Sequence, residues 1–259
     1  MSADRTPNPT GAAPQYSVET NELTKVFGTQ TAVDHISVHV RRGEIYGFLG
    51  ANGAGKTTAI RMLCGLLKPT SGSGQVAGFD IMKQTDRIRT RIGYMSQRFS
   101  LYTDLTVEQN MRLYGSLYRV KRGLLAERID QLCERIGLNE LRNQNTGSLP
   151  WGWQQRLSLA CANLHSPRIL FLDEPTGSVD PVSRRGFWDL IYALADDGAT
   201  VFITTHHLDE AENCDRVSIM SNGRIIAVDS PRALKRQLGT DSLEDAFIGL
   251  LKDPEAQRT

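Results

Sequence analysis

The run Gly50-Ala51-Asn52-Gly53-Ala54-Gly55-Lys56-Thr57-Thr58 combines glycines, a lysine and adjacent hydroxyls in the spacing G-x-x-x-x-G-K-[ST], which suits it to wrap a phosphate. Glycines let the main chain curl until successive N–H groups face one point. Lys56 adds a point charge for outer phosphates, and Thr57 a hydroxyl for Mg²⁺. A second reactive stretch is Asp173-Glu174, directly after the apolar run Ile169-Leu170-Phe171-Leu172. A carboxylate at the end of a buried strand is expensive unless something there requires it. Mg²⁺ coordination accounts for Asp173, and Glu174, one residue on, can leave the metal and accept a proton from an attacking water. A third strand end supplies Thr204-Thr205-His206-His207. Side chains alternate across a strand, so one of the two histidines faces the site. Together with Asp209, Glu210 and Cys214, that pair matches no standard zinc spacing. A gripped triphosphate, a metal and a base are the parts of phosphoryl hydrolysis.

The elements that must position these groups follow from pattern. Residues 44–49 form an apolar, aromatic-rich run that reads as a buried strand, and 58–67 carry apolar residues at helical spacing, so a helix N-terminus faces the ligand. Residues 16–26 and 36–40 look like strands, 41–43 a turn, 68–74 a loop, and 75–77 and 91–96 short strands. From about 99 to 149 the period turns helical. Thr106 and Gln109 fit a capping box ahead of a helix running to about residue 119. A second helix places Leu125, Ile129, Leu132, Cys133 and Ile136 on one face and closes at Gly137. The aromatics Phe99, Tyr102, Tyr114 and Tyr118 of this stretch suit either core or a docking surface. Strand signals resume at 168–172 and 199–204. Asp180-Pro181 places an N-cap and a first-turn proline ahead of a helix to about residue 195. Segments 216–220 and 224–228 flank Ser221-Asn222-Gly223, a hairpin signal. Ser242 opens a last amphipathic helix with Leu243, Phe247, Leu250 and Leu251 on one side. The domain so drawn covers 16–240, with a helical subdomain at about 98–150, after a Pro-, Gly- and Ala-rich tail (1–15) that has little to bury. Residues 241–259 form a terminal helix and tail.

Composition narrows the classes. A formal net charge of +1 over 259 residues gives no reason to expect a nucleic-acid partner. The cysteines Cys64, Cys133, Cys161 and Cys214 are scattered without paired spacing and read as reduced and buried. No apolar run approaches the roughly 20 residues that span a bilayer, so any membrane-spanning part belongs to another chain. No internal repeat is visible, which implies one nucleotide cassette.

From residue 17 to about 252 the chain resembles the ATP-binding subunit of an ABC transporter. Gly50 to Thr58 is similar to the Walker A run and Ile169 to Glu174 to the Walker B run. Gln97, in Tyr94-Met95-Ser96-Gln97, falls at the Q-loop glutamine, His206 at the switch histidine, Asp180 at the D-loop aspartate and Phe27 at the aromatic on which adenine stacks. The resemblance implies an α/β fold: a P-loop NTPase with an antiparallel β subdomain, a RecA-like core and an inserted helical subdomain. It implies ATP and Mg²⁺ as ligands, with Thr57, Gln97 and Asp173 at the metal and Glu174, His206 and Gln97 in catalysis. It also implies a head-to-tail pair of such subunits, expected to be identical. In that pair Leu149, Gly152 and Gln155 contact the nucleotide held by the opposite chain. A separate transmembrane permease completes the assembly, and the subunit sits peripherally on the cytoplasmic face of the inner membrane. The signature departs from the usual L-S-G-G-x-x-Q-R: aligned on Gln155-Arg156, Pro150 replaces the serine and Trp151 the first glycine. A similar L-P-x-G-W run occurs in bacterial ABC export ATPases thought to move drugs, which points to drug or antibiotic efflux. The altered signature keeps a second reading open, a regulatory subunit that binds ATP with little turnover. ABC-type ATPases of ribosomes or DNA resemble tandem cassettes or carry coiled-coil insertions, and this chain has neither.

Overall fold

The computed structural model describes residues 16–98, 100–177 and 179–252; the expected N-terminal tail, Phe99 and the end of the C-terminal tail lie outside them. The first layer is an antiparallel sheet. β1 (Tyr16–Phe27) pairs with β2 (Gln30–Ile36), with β3 (His39–Arg41) and, on its other edge, with a later strand. β4 (Ile45–Leu49) then enters the second sheet and leads into α1 (Lys56–Leu63). β5 (Ser71–Val76) returns to β1, and β6 (Phe79–Asp80) closes that sheet. After α2 (Thr85–Arg89) comes β7 (Ile92–Met95), followed by three helices: α3 (Val107–Leu117), α4 (Arg122–Ile136) and α5 (Trp151–Asn163). The chain alternates again through β8 (Ile169–Asp173), α6 (Pro181–Asp196), β9 (Thr200–Thr205), α7 (Leu208–Ala211), β10 (Arg216–Ser221) and β11 (Arg224–Asp229). It ends, among the described residues, in α8 (Pro231–Gln237) and α9 (Leu243–Lys252).

The second sheet has the order β11-β10-β4-β9-β8-β7, parallel except for the β10–β11 hairpin. That hairpin turns at Asn222 and Gly223, both at positive φ (48° and 81°), as a two-residue turn between twisted strands requires. β4, β8 and β9 are buried at every position, which is why they read as continuous apolar runs. Strand alternation divides them between two cores. Tyr46, Phe48, Phe171 and Phe202 face α1 and the antiparallel sheet, whereas Ile45, Leu49, Leu170, Leu172, Val201 and Ile203 face α3 to α6 and α9. All four cysteines are buried and free. No helix among the described residues is long and apolar enough to cross a membrane.

The helical insertion is built as the sequence indicates. The Thr106 side chain accepts from Gln109 N, the Gln109 side chain accepts from Thr106 N, and α4 stops at Gly137 with φ 74°. α5 packs against α3 and α4, and also against β7 and α6. Two expectations fail in the antiparallel sheet. Residues 36–40 are not one strand: β2 ends at Ile36 and β3 begins at His39, and β2 itself is polar at its start with Val33 and Ile36 alone fully buried. The expected loop at 68–74 instead holds the start of β5. Its Ser-Gly-Ser-Gly sequence has no apolar signal, and its extended state comes from pairing with β1, close enough that a Cβ at Gly74 would lie 2.7 Å from Glu19 O. α8 carries a signal that sequence reasoning passed over: Ser230 caps Ala233 N at 3.2 Å with Pro231 in the first turn.

Candidate functional site

The site lies where the C-terminal ends of β4, β8 and β9 meet. Leu49 is in register with Thr205, and Asp173 with Thr204, so the loops leaving these strands start side by side. Ligands of open α/β sheets bind at this edge. The loop after β4 is shaped by close approach: a Cβ at Gly50 would come within 2.5 Å of Met220 O, and one at Gly55, whose φ is 103°, within 2.5 Å of Ala32 O. Gly55 is also the N-cap of α1 and offers no capping side chain. The first-turn amides of α1 are therefore left as orphan donors, together with the positive end of the helix dipole.

Lys56 is 4% exposed and does not extend into solvent. Its Nζ donates to Gly50 O at 2.7 Å and Ala51 O at 3.1 Å, and pairs with Glu174 Oε1 at 3.2 Å. The other Glu174 oxygen, Oε2, accepts from Gln97 Nε2 at 3.0 Å and lies 3.2 Å from His206 Nδ1. Three residues from three loops thus meet on one carboxylate. Glu174 is held there by its main chain, N donating to Thr204 O (3.1 Å) and to Thr204 Oγ1 (3.0 Å), with φ at 47°, a left-handed value uncommon for a side chain of this kind.

Asp173 is 1% exposed. Its Oδ1 accepts from Thr57 Oγ1 at 3.0 Å and Thr204 Oγ1 at 2.7 Å, while Oδ2 is buried with no partner among the described residues. Burial pushes this carboxyl above its ordinary range; the two threonine bonds act against that shift, and the neighbouring Glu174 charge adds to it. A buried, unpartnered carboxylate oxygen beside a threonine hydroxyl suits a hard divalent cation, so the residues present fit Mg²⁺. Gln97 uses its amide nitrogen on Glu174, and its carbonyl oxygen is the acceptor end of the same side chain. Thr204 was not singled out from sequence; its signal is its register opposite Asp173.

The remaining candidates divide. Ala51, Asn52 and Gly53 are exposed along the loop, and Ala54 is buried beneath it. Thr58 is half-buried in the first turn of α1. Phe27 is 48% exposed at the end of β1, with Lys25 Nζ 5.0 Å from its ring centroid, and β2 of the same hairpin supplies the Ala32 carbonyl against Gly55. Asp180 caps α6, Oδ1 accepting from Val182 N (3.0 Å) and Ser183 N (2.9 Å). The Ser183 side chain, and then the Ser183 and Val182 amides, hold its carboxyl below the usual range.

Leu149, Gly152 and Gln155 do not join this chain's loop. The segment meets the stretch following β8: a Cβ at Gly152 would touch Ser183 at 3.2 Å, and Trp151 Nε1 donates to Gly177 O at 3.0 Å. Leu149 and Gln155 are 4% and 3% exposed, whereas Pro150 and Trp151 are exposed.

Comparison with known proteins gives the family. The ABC transporter family profile matches residues 33–177. The probable multidrug ABC transporter ATP-binding protein YbhF of Escherichia coli is 46% identical over 248 residues, which is 94% of this chain and 43% of that protein. The daunorubicin/doxorubicin resistance ATP-binding protein DrrA of Streptomyces peucetius is 38% identical over 246 residues, 95% of this chain and 74% of that one. The chain thus spans less than half the length of the first relative and about three quarters of the second. A solved ATP-binding subunit of an ABC transporter superposes with a TM-score of 0.82 at 27% identity, covering 91% of this chain and 99% of its own. The family match, the identities and the superposition agree: the chain belongs to the ABC transporter family as an ATP-binding domain with the P-loop NTPase fold.

Proposed function

We propose that this chain binds ATP with Mg²⁺ and hydrolyses it, and that two copies closing head to tail around two nucleotides move a separate transmembrane permease at the cytoplasmic face of the membrane. The observation that carries this reading is the meeting of Lys56, Gln97 and His206 on Glu174. In it the orphan amides of α1 and Lys56 grip the phosphates, and Phe27 offers an exposed ring to the adenine. Thr57, Asp173 and Gln97 would hold Mg²⁺, which would supply positive charge against the charge developing on the phosphates. Glu174 takes the proton of the attacking water at its carboxylate, and His206, whose Nδ1 lies 3.2 Å from Oε2, orients that water or the terminal phosphate. Asp180 and the segment from Leu149 to Gln155 serve the site of the opposing copy. Export of a drug or antibiotic is the cargo class supported by the printed names of the relatives, YbhF, DrrA and the bacitracin transport protein BcrA of Bacillus licheniformis. Replacing Glu174 by Gln keeps an acceptor for Lys56 and removes the base. Steady-state turnover is then expected to fall by about 10²–10⁴-fold with MgATP binding retained and a dimer trapped on a sizing column. Near-normal turnover would remove Glu174 from its role.

A second reading has one observation in its favour. Pro150 caps α5 with no hydroxyl, and Leu149 and Gln155 are turned inward, so the opposing site receives fewer donors than the usual signature supplies. A regulatory chain that binds ATP but scarcely turns it over follows from that. The ATPase rate of the purified chain with and without its membrane partner separates the two readings.

A further inference from the structure

Glu210 is 1% exposed in α7, and the mechanism above gives it no task. Its carboxylate is divided between two segments. Oε1 accepts from Thr176 Oγ1, in the turn two residues beyond Glu174, and Oε2 accepts from Thr205 Oγ1 at 2.7 Å, one residue before His206. Arg184 of α6 lies behind it, Nε 3.5 Å from Oε1, with Nη1 donating to Asp209 Oδ2 (3.0 Å) and Nη2 to Val179 O (3.4 Å). Thr205 Oγ1 in turn accepts from His207 N at 2.9 Å. A buried ion pair is weak evidence of stabilisation, since an apolar pair of similar volume often serves as well. What a carboxylate offers and an apolar side chain does not is two directional acceptor atoms on one rigid plane. Here each atom binds a different loop of the site.

We propose that Glu210 is a positioning residue, fixing the 3.2 Å separation of His206 Nδ1 from Glu174 Oε2 by tying Thr176 to Thr205. The inference rests on the hydrolytic reading above. Lys56 and the loop carbonyls it binds make no bond through Glu210, so nucleotide grip and turnover respond separately.

The test compares Glu210→Ala, Glu210→Gln and Thr176→Val by kcat and KM for ATP, and by hydrogen exchange of the amides at 174–177 and 205–207. A misplacement of about 1 Å lowers rate by about 10²-fold. Accordingly, Glu210→Ala is expected to lose kcat by about 30- to 100-fold with KM within about threefold. Thr176→Val should reproduce most of that loss, the double variant should be no worse than Glu210→Ala, and Glu210→Gln should recover part of the rate. Both segments should exchange faster together in Glu210→Ala while residues 50–58 stay as they were. An unchanged kcat, a KM that worsens in step with kcat, or faster exchange in one segment alone would overturn the proposal. If Glu210→Ala does not fold, Thr176→Val decides by the same kcat and KM criteria. If the unmodified chain shows no turnover in any assembly, the hydrolytic reading falls, and the exchange data alone then decide whether Glu210 ties the two segments.

Discussion

Among the described residues α1 and α5 are two of the helices that begin without a capping side chain, and only one of this pair begins a site. α1 starts at Gly55 and α5 at Pro150. Both leave first-turn amides without helical partners and both carry the positive end of a helix dipole. Around α1 the fold adds ionisable groups from three strand ends: Lys56 after β4, Asp173 and Glu174 at β8, His206 after β9. Around α5 it adds an indole, a buried leucine and a buried glutamine. A helix terminus is thus a common resource, and surrounding charge, held in place by parallel register, is what turns one into a phosphate site. In the head-to-tail pair proposed above, the charge missing at the α5 terminus would come from the opposing copy's site.

That contrast can be broken at the α1 end first. Lys56→Met removes a buried cation and three contacts. Nucleotide affinity by calorimetry is expected to fall about 10²-fold, the scale of losing charged hydrogen bonds of roughly 1.5–3 kcal/mol each. An unaltered isotherm would mean that α1 grips phosphate no better than α5 could. Asp173→Asn comes next: the Mg²⁺-dependent part of ATP affinity should drop about tenfold or more, while affinity measured in chelator stays put. Loss in chelator as well would show that Asp173 shapes the loop and leaves the metal to others. At the α5 end, Pro150→Ser supplies the absent cap. It should stabilise the chain by about 1 kcal/mol and raise the melting temperature by roughly 2–4 °C, leaving monomer affinity for ATP unchanged. A tighter ATP isotherm for the isolated chain would contradict the assignment of this segment to the opposing site. Trp151→Phe is the smallest: deleting one half-exposed bond to Gly177 O should lower stability by about 0.5 kcal/mol, readable in a denaturant midpoint.

Local signals made the α1 end legible from sequence. Loop, lysine and hydroxyl lie within nine residues, and Asp173-Glu174 follow a run too apolar to end in acids by accident. The capping box at Thr106 and the turn at Asn222-Gly223 were equally local. What stayed hidden is what register decides. Thr204 becomes a ligand of Asp173 because β9 lies beside β8 with no offset, and Thr176 meets Glu210 across 34 residues. β5 was hidden for another reason: serine and glycine do not announce a strand, and β1 imposes it on them. The inward turn of Leu149 and Gln155 depends on how α5 packs on its neighbours, which no spacing rule reports.

Glu174 adopts a left-handed backbone with φ 47°, a conformation that costs an ordinary side chain about 1–2 kcal/mol and glycine almost nothing. Glycine at 174 would relieve that strain but would also leave Lys56 buried without its ion pair, a loss of about 3–5 kcal/mol. The strained conformer is thus held in place by the cation it faces, and a variant library screened for melting point alone should keep an acidic side chain at 174.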